Sequence, residues 1–281
     1  MTATPVTTHQ KGTLLLLLVT LIWGTSFPVL KDTLSSIHPS VLIVVRYSIA
    51  AVALLPWLRQ ISRQLLRDGM ILGTVLFLET TCALTGLEMI SASRSAFIVG
   101  LNVVAVPLIG ALLGKPLPRQ ILVAAGLAAT GMSVMSWDGG GLSFSDVLTL
   151  ASALGIAIYI LFLEAIAPRH KPLSLAAVQV WFVALLGAIW ALPEVMHQGI
   201  NIGEQMPSLL YLGLVVTIGP LWGQAMGQKW VPAREAALLY TLEPVFATIF
   251  SVLLLGDGLS FNGAIGAICI LMATVVSRVR S

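Results

Sequence analysis

Charge is scarce in this chain. Only 10% of its 281 residues are Asp, Glu, Lys or Arg, whereas a soluble domain carries about 25%. Cysteine is almost absent too: Cys82 and Cys269 both fall in apolar stretches, so no disulfide framework organises the fold. All four histidines (His9, His38, His170, His197) lie in the polar start or in loops. So do the aspartates, apart from Asp146 at the start of an apolar segment. An enzyme working inside a membrane needs a nucleophile with its base, paired aspartates or metal ligands at membrane depth. None is offered, and neither G-x-S-x-G nor H-E-x-x-H occurs. No metal, no cofactor and no catalytic residue is expected. Gly139, Gly140 and Gly141 are not followed by G-K-[ST], which excludes a nucleotide phosphate loop. A pI of 9.1 hints at nucleic acid, but the net charge is only +3 and the basic residues stand at segment ends rather than in a patch. There is no long polar stretch for a soluble sensor or scaffold domain.

What is present is apolar length. Apolar residues make up 57% of the chain, and the mean hydropathy is +0.97. A helix needs about 20 apolar residues to cross a bilayer. Ten segments approach that length: 13–30, 39–58, 70–88, 92–113, 119–137, 145–166, 173–192, 207–228, 233–255 and 258–276. The chain therefore reads as an all-α, multi-pass membrane protein whose partner is the lipid bilayer. The polar residues 1–12 precede a first helix too long for a signal peptide and lacking a small-residue cleavage site. Lys11, Arg59, Arg63, Arg67, Lys115, Arg119, Arg169, Lys171, Lys229, Arg234, Arg278 and Arg280 fall on one side, whereas only Lys31 and Arg94 fall on the other. By the positive-inside rule both termini are cytoplasmic.

The segments form two sets. Aligning Gly73 with Gly213 also aligns Arg94 with Arg234, and a small further shift brings LLGKPL (112–117) onto LLGDGL (254–259). This ordered succession predicts a first five-helix repeat over 13–137, a linker over 138–144 and a second repeat over 145–277. An odd number of spans per repeat inverts the second half, and inverted repeats place a binding cavity at the midplane where the halves meet. The stretch 233–255 carries Glu243 and Pro244 near its middle. Proline removes a backbone hydrogen bond, so this helix should bend there, and its first-half counterpart at Pro107.

Trp23 to Pro28, WGTSFP, is similar to the W-G-x-[ST/N]-F-P signature of the drug/metabolite transporter superfamily, EamA-type branch. AREAALLYTLEPVFATIFSVLLLGDGLSFNGAIGAICIL (233–271) resembles that branch's second-half signature. The resemblance implies a ten-helix basket whose cavity is lined mainly by segments 1, 3, 4, 6, 8 and 9. It also implies export of amino acids and other small metabolites, with the bacterial aromatic amino-acid exporters as the suspected subgroup and the bacterial cytoplasmic membrane as the location. Two departures matter. Asn102 stands where the repeat would place the counterpart of Pro244, and Ser26 replaces the coupling glutamate of the small multidrug-resistance relatives. The middle of the ninth segment has no cation, which disfavours phosphorylated substrates.

Polar groups at membrane depth are functional by default. Glu79 is either a proton-coupling or substrate-amine site, or half of a structural pair with Arg46. Glu243 either faces the cavity or bonds backbone groups freed by Pro244, the latter being favoured. Trp23, Tyr159 and Tyr240 suit stacking on a planar or ammonium-bearing solute, or simply pack between helices. Asn102 and Gln224 are neutral groups able to read a solute's charges or to bond across helices. Small residues in segments 5 and 10 (among them Ala124, Gly131, Gly263 and Gly266) make either an internal contact or the seam of a homodimer. The expected function is a secondary transporter for small organic solutes working by alternating access, with Glu79 as the coupling candidate and a drug or other metabolite as the alternative cargo.

Overall fold

The computed structural model describes residues 7–59, 61–90, 92–135, 143–198, 202–255 and 261–278. Thirteen α-helices and no strand occur among them. They are α1 (Thr8–Leu34), α2 (Pro39–Ala53), α3 (Arg63–Met89), α4 (Ala92–Gly100), α5 (Asn102–Leu112), α6 (Arg119–Met135), α7 (Phe144–Ile166), α8 (Pro172–Gln198), α9 (Met206–Leu210), α10 (Gly219–Gly227), α11 (Ala233–Tyr240), α12 (Glu243–Leu255) and α13 (Phe261–Arg278). A π-helical turn, Tyr211–Ile218, joins α9 to α10. Taken with their short breaks, these helices coincide with the ten apolar segments, the fourth being α4–α5, the eighth α9–α10 and the ninth α11–α12. By length and composition, six of the resulting helices can cross a membrane.

Local chemistry sets the helix starts. Thr7 accepts from the Gln10 amide at 3.3 Å while Gln10 Oε1 accepts from the Thr7 amide at 2.8 Å, a reciprocal cap. Helix α1 therefore begins at Thr8, and the polar tail expected over 1–12 is helical from that point. Ser62 caps α3 by accepting from the Leu65 amide, so α3 also starts earlier than the apolar run that announced it. Ser143 and Asp146 make a second reciprocal cap at α7. The second segment is shorter than its apolar run. Helix α2 stops at Ala53 and a tighter turn, Leu55–Leu58, follows, because Pro56 has no amide hydrogen to continue the ladder. Most of the linker, residues 138–142, lies outside the described residues.

The packing has a regular pattern. Helix α1 packs on α10 and α12, while α7 packs on α3, α4 and α5. Helix α2 packs on α8, α2 on the π turn, α3 on α8, and α6 on α13. Exchanging the two sets of five segments carries the contacts of α1 onto those of α7 and α2 on the π turn onto α3 on α8, and returns α2 on α8 and α6 on α13 to themselves. The small residues of segments 5 and 10 meet each other within the chain. Ala124, Ala125 and Ala128 share one buried cluster with Ile270 and Ala273.

Candidate functional site

A cavity of about 140 Å³ opens among α1, α2, α3, α4, α7, α10 and the start of α12. A dry cavity of about 150 Å³ takes one benzene ring, so this is room for a small solute and not for a polymer. Its walls come from the segments the family resemblance implied, plus α2, which contributes Arg46 and Tyr47.

One guanidinium and two carboxyl groups line this space: those of Arg46, Glu79 and Glu243. Glu79 stands at mid-length on α3. It accepts from Thr80 Oγ1 at 2.9 Å and from Ser152 Oγ of α7 at 3.4 Å. Thr80 in turn lies 3.4 Å from the Tyr47 hydroxyl. Gly155 makes this approach possible, since a Cβ there would sit 2.6 Å from the Cβ of Glu79. Arg46 does not pair with Glu79, contrary to the pairing weighed from the sequence. Its Nε donates to Thr217 Oγ1 at 2.7 Å, and its guanidinium carbon stands 5.4 Å from the Tyr47 ring centre. The reason is topological, for α2 packs on the π turn that carries Thr217. Glu243 also departs from expectation. It makes no hydrogen bond to backbone freed by Pro244; among the described residues its carboxylate has no hydrogen-bond or ion-pair partner, and it lines the cavity.

The aromatic wall is Trp23, Phe27, Tyr47 and Tyr159. Tyr159 donates its hydroxyl to Gln179 Oε1 at 2.7 Å, which holds the ring in place. Gln224 lines the cavity as expected. Tyr240 does not. It is buried behind Trp23, edge to face at 5.3 Å, and its hydroxyl has no hydrogen-bond partner among the described residues. Asn102 is likewise buried away from the cavity, its Nδ2 donating to Val99 O at 2.8 Å. Sequence reasoning missed Thr217 as the partner of Arg46. The signal available was Gly219-Pro220 within an apolar run. Pro220 cannot donate to the preceding turn, and such loosened ladders are where π turns form.

The breaks differ from the proline hinges expected. Helix α4 ends at Gly100 and α5 starts at Asn102, whereas Pro107 lies inside α5. Helix α11 ends at Tyr240 and α12 starts at Glu243, so Pro244 sits in the first turn of α12. An amide hydrogen there has no helical partner, so proline is tolerated. The carbonyls freed at the breaks are satisfied by side chains: Asn102 serves Val99, and Thr241 Oγ1 donates to Leu238 O at 2.7 Å. Pro244→Ala is therefore expected to change stability by less than about 1 kcal/mol, while Thr241→Val costs about 1 kcal/mol through the lost bond. Thermal unfolding of both variants in detergent ranks them, and a larger effect from Pro244→Ala would restore the proline as cause of the break.

Polar ties cross both ends of the bundle. At the lysine- and arginine-rich end, Asp68 of α3 meets His170 at 2.9 Å, and Lys229 Nζ donates to His170 O at 2.7 Å. Glu164 of α7 pairs with Lys115 and accepts from the Ala233 amide at the start of α11. At the other end Arg94 pairs with Asp146 at 2.7 Å, and Lys31 Nζ donates to the last carbonyls of α3. The cavity residues of α1, α3 and α4 lie toward this second end. No group of three or more His, Cys, Asp or Glu side chains suited to a metal is gathered among the described residues.

Comparison with known proteins places this architecture. A sequence profile described as the EamA-like transporter family matches residues 10–137 and again 143–279. An uncharacterized transporter of Archaeoglobus fulgidus is 30% identical over 266 residues, which is 94% of this chain and 85% of that one. An uncharacterized transporter of Bacillus subtilis, YetK, is 24% identical over 221 residues, covering 74% of this chain and 66% of its own. A crystal structure 19% identical to the chain superposes with a TM-score of 0.76, covering 95% of this chain and 96% of the other, and shows the same fold. With the family profile matched over both halves and a full-length relative at 30% identity, the chain belongs to the EamA-like transporter family and is a membrane transporter, not an enzyme.

Proposed function

We propose that this protein exports small organic metabolites, above all amino acids with aromatic or other apolar side chains, across the bacterial cytoplasmic membrane. The reading places both termini in the cytoplasm and takes all ten segments as spans in two inverted halves. Alternating access moves the cargo, and Glu79 couples it to protons. The observation that carries the proposal is the cavity's lining: one guanidinium, two carboxylates and four aromatic rings around a space the size of a small solute. An amino acid presents the complementary set. Its carboxylate suits Arg46, its ammonium suits Glu79 and Glu243, and an apolar side chain suits Trp23, Phe27, Tyr47 and Tyr159. Alternating access is supported by the paired contacts of the two halves and by ties at both bundle ends, which must break in turn.

The test is flux from proteoliposomes loaded with a panel of amino acids, with and without a pH gradient. Saturable, gradient-driven flux of aromatic residues is expected. Flux of lipophilic cations with no flux of amino acids would favour the second reading, a drug exporter, which two carboxylates against one guanidinium also accommodate. Absence of any flux of either class would remove the cargo assignment.

A further inference from the structure

A second space lies outside the central cavity. It is a groove of about 650 Å³ between α2, α3 and α8, walled by Leu58, Leu66, Met70, Trp181, Phe182 and Leu185, with Ser48 in its floor. The wall is almost wholly apolar, and its flanks face outward: Leu66, Trp181 and Leu185 are 44%, 40% and 57% exposed. Among the described residues no side chain fills it. Trp181 is held at the edge by donating its indole N–H to Ala51 O at 3.0 Å, so the groove is kept open by a fixed ring.

Two arginines neighbour the groove's lining residues along the chain. Arg59 follows Leu58 in the chain, and Arg63 lies on the same face of α3 as Leu66 and Met70 by helical spacing. Both are exposed, and neither has an ion-pair partner among the described residues, whereas nearby Arg67 is occupied by Asp68. The acid of this corner is thus buried and already paired, which leaves the mouth of the groove positive. An apolar slot flanked in the chain by two exposed guanidiniums suits one ligand class: an acyl chain attached to a phosphate-bearing anionic headgroup. We infer that this groove is a binding site for an anionic phospholipid, its chain lying along the outer face of α2, α3 and α8 and its phosphate held by Arg59 and Arg63. The site does not depend on which solute the central cavity carries.

The groove also bears on function through its position. Helices α3 and α8 pack on each other and belong to different sets of five segments, so a lipid lying across both touches the two halves that the proposed alternating access would move. The test uses the purified full chain in nanodiscs and detergent, with phosphatidylglycerol and phosphatidylcholine as probes and native mass spectrometry as readout. Retention of phosphatidylglycerol is expected to exceed that of phosphatidylcholine by about thirtyfold, from about a kcal/mol per basic residue. Arg59→Ala with Arg63→Ala removes that preference, and Ser48→Phe, which fills the floor, lowers retention of both lipids. Equal retention of the two lipids by the unaltered chain would overturn the inference, as would a preference untouched by both variants. A mass of two chains that Ser48→Phe reduces to one would assign the groove to a second copy instead. Both variants are checked for an unchanged elution profile, and if Ser48→Phe does not fold, Ala184→Val tests the same wall.

Discussion

Exchange of Glu79 and Glu243 for glutamine is expected to cut transport of an amino acid about tenfold to a hundredfold for each residue, the worth of about 1.5–3 kcal/mol for a hydrogen bond to a charged group. Glutamine keeps the shape and the ability to accept from Thr80 and Ser152, so the fold should survive. Neither carboxylate is ion-paired to Arg46, so neutralising them strands no buried partner. The two variants should differ in one respect. Glu79→Gln is expected to lose dependence on a pH gradient as well as rate, because Glu79 sits in a chain of hydroxyls, Ser152, Thr80 and Tyr47, able to pass and hold a proton. Glu243→Gln should lose rate alone. Arg46→Gln completes the set, since it should slow an amino acid while sparing the corresponding amine without a carboxylate. Counterflow assays on the three variants check this. Normal, gradient-dependent flux through Glu79→Gln would end the coupling role, and an Arg46→Gln that treats acid and amine alike would end the orientation proposed for the cargo.

Gly24→Leu is expected to destabilise the fold strongly. Gly24 is the second residue of the WGTSFP signature, and the structure gives that glycine a physical task. A Cβ at position 24 would stand 2.6 Å from Phe246 Cβ and 3.1 Å from the Ala247 backbone nitrogen. The obstacle is backbone and the root of a side chain, which cannot swing aside, so α1 must part from α12. Overpacking costs about 1–3 kcal/mol where neighbours can adjust, and here they cannot, so at least about 3 kcal/mol is expected. For a chain of this size that is a fall of about 6–12 °C in the thermal midpoint. Gly126→Leu on α6 is the control, because no atom lies within 4 Å of a Cβ there. A Gly24→Leu protein that unfolds where the control does would mean that α1 and α12 are not in backbone contact.

The apolar helical segments and their order were legible because a bilayer demands apolar length, and because length and punctuation are linear properties. The caps at Thr7 and Ser143, by contrast, came from the structure, and their geometry fixed where α1 and α7 begin. Glu79, Glu243, Trp23, Tyr159 and Gln224 were legible as cavity residues because polar and aromatic groups at membrane depth need a reason to be there. Asn102 and Tyr240 raised the same signal and turned out to pack or to mend a break, since a polar side chain serves a freed carbonyl as well as a solute. Composition cannot separate those two uses.

Which groups meet across the bundle was decided by tertiary structure. Arg46 goes to Thr217 rather than Glu79 because α2 lies against the π turn, a relation between residues 171 positions apart that no local pattern encodes. The small residues of segments 5 and 10 meet each other within one chain for the same reason. The helix breaks fall at Leu101 and Thr241–Leu242 rather than at the prolines, because a break is placed where a side chain can replace the lost backbone bond. Sequence by itself determined the membrane-spanning class, the helical segments and the pool of candidate groups. Only the packing of helices decided which of those groups share a cavity, because proximity depends on crossing and register and not on order along the chain.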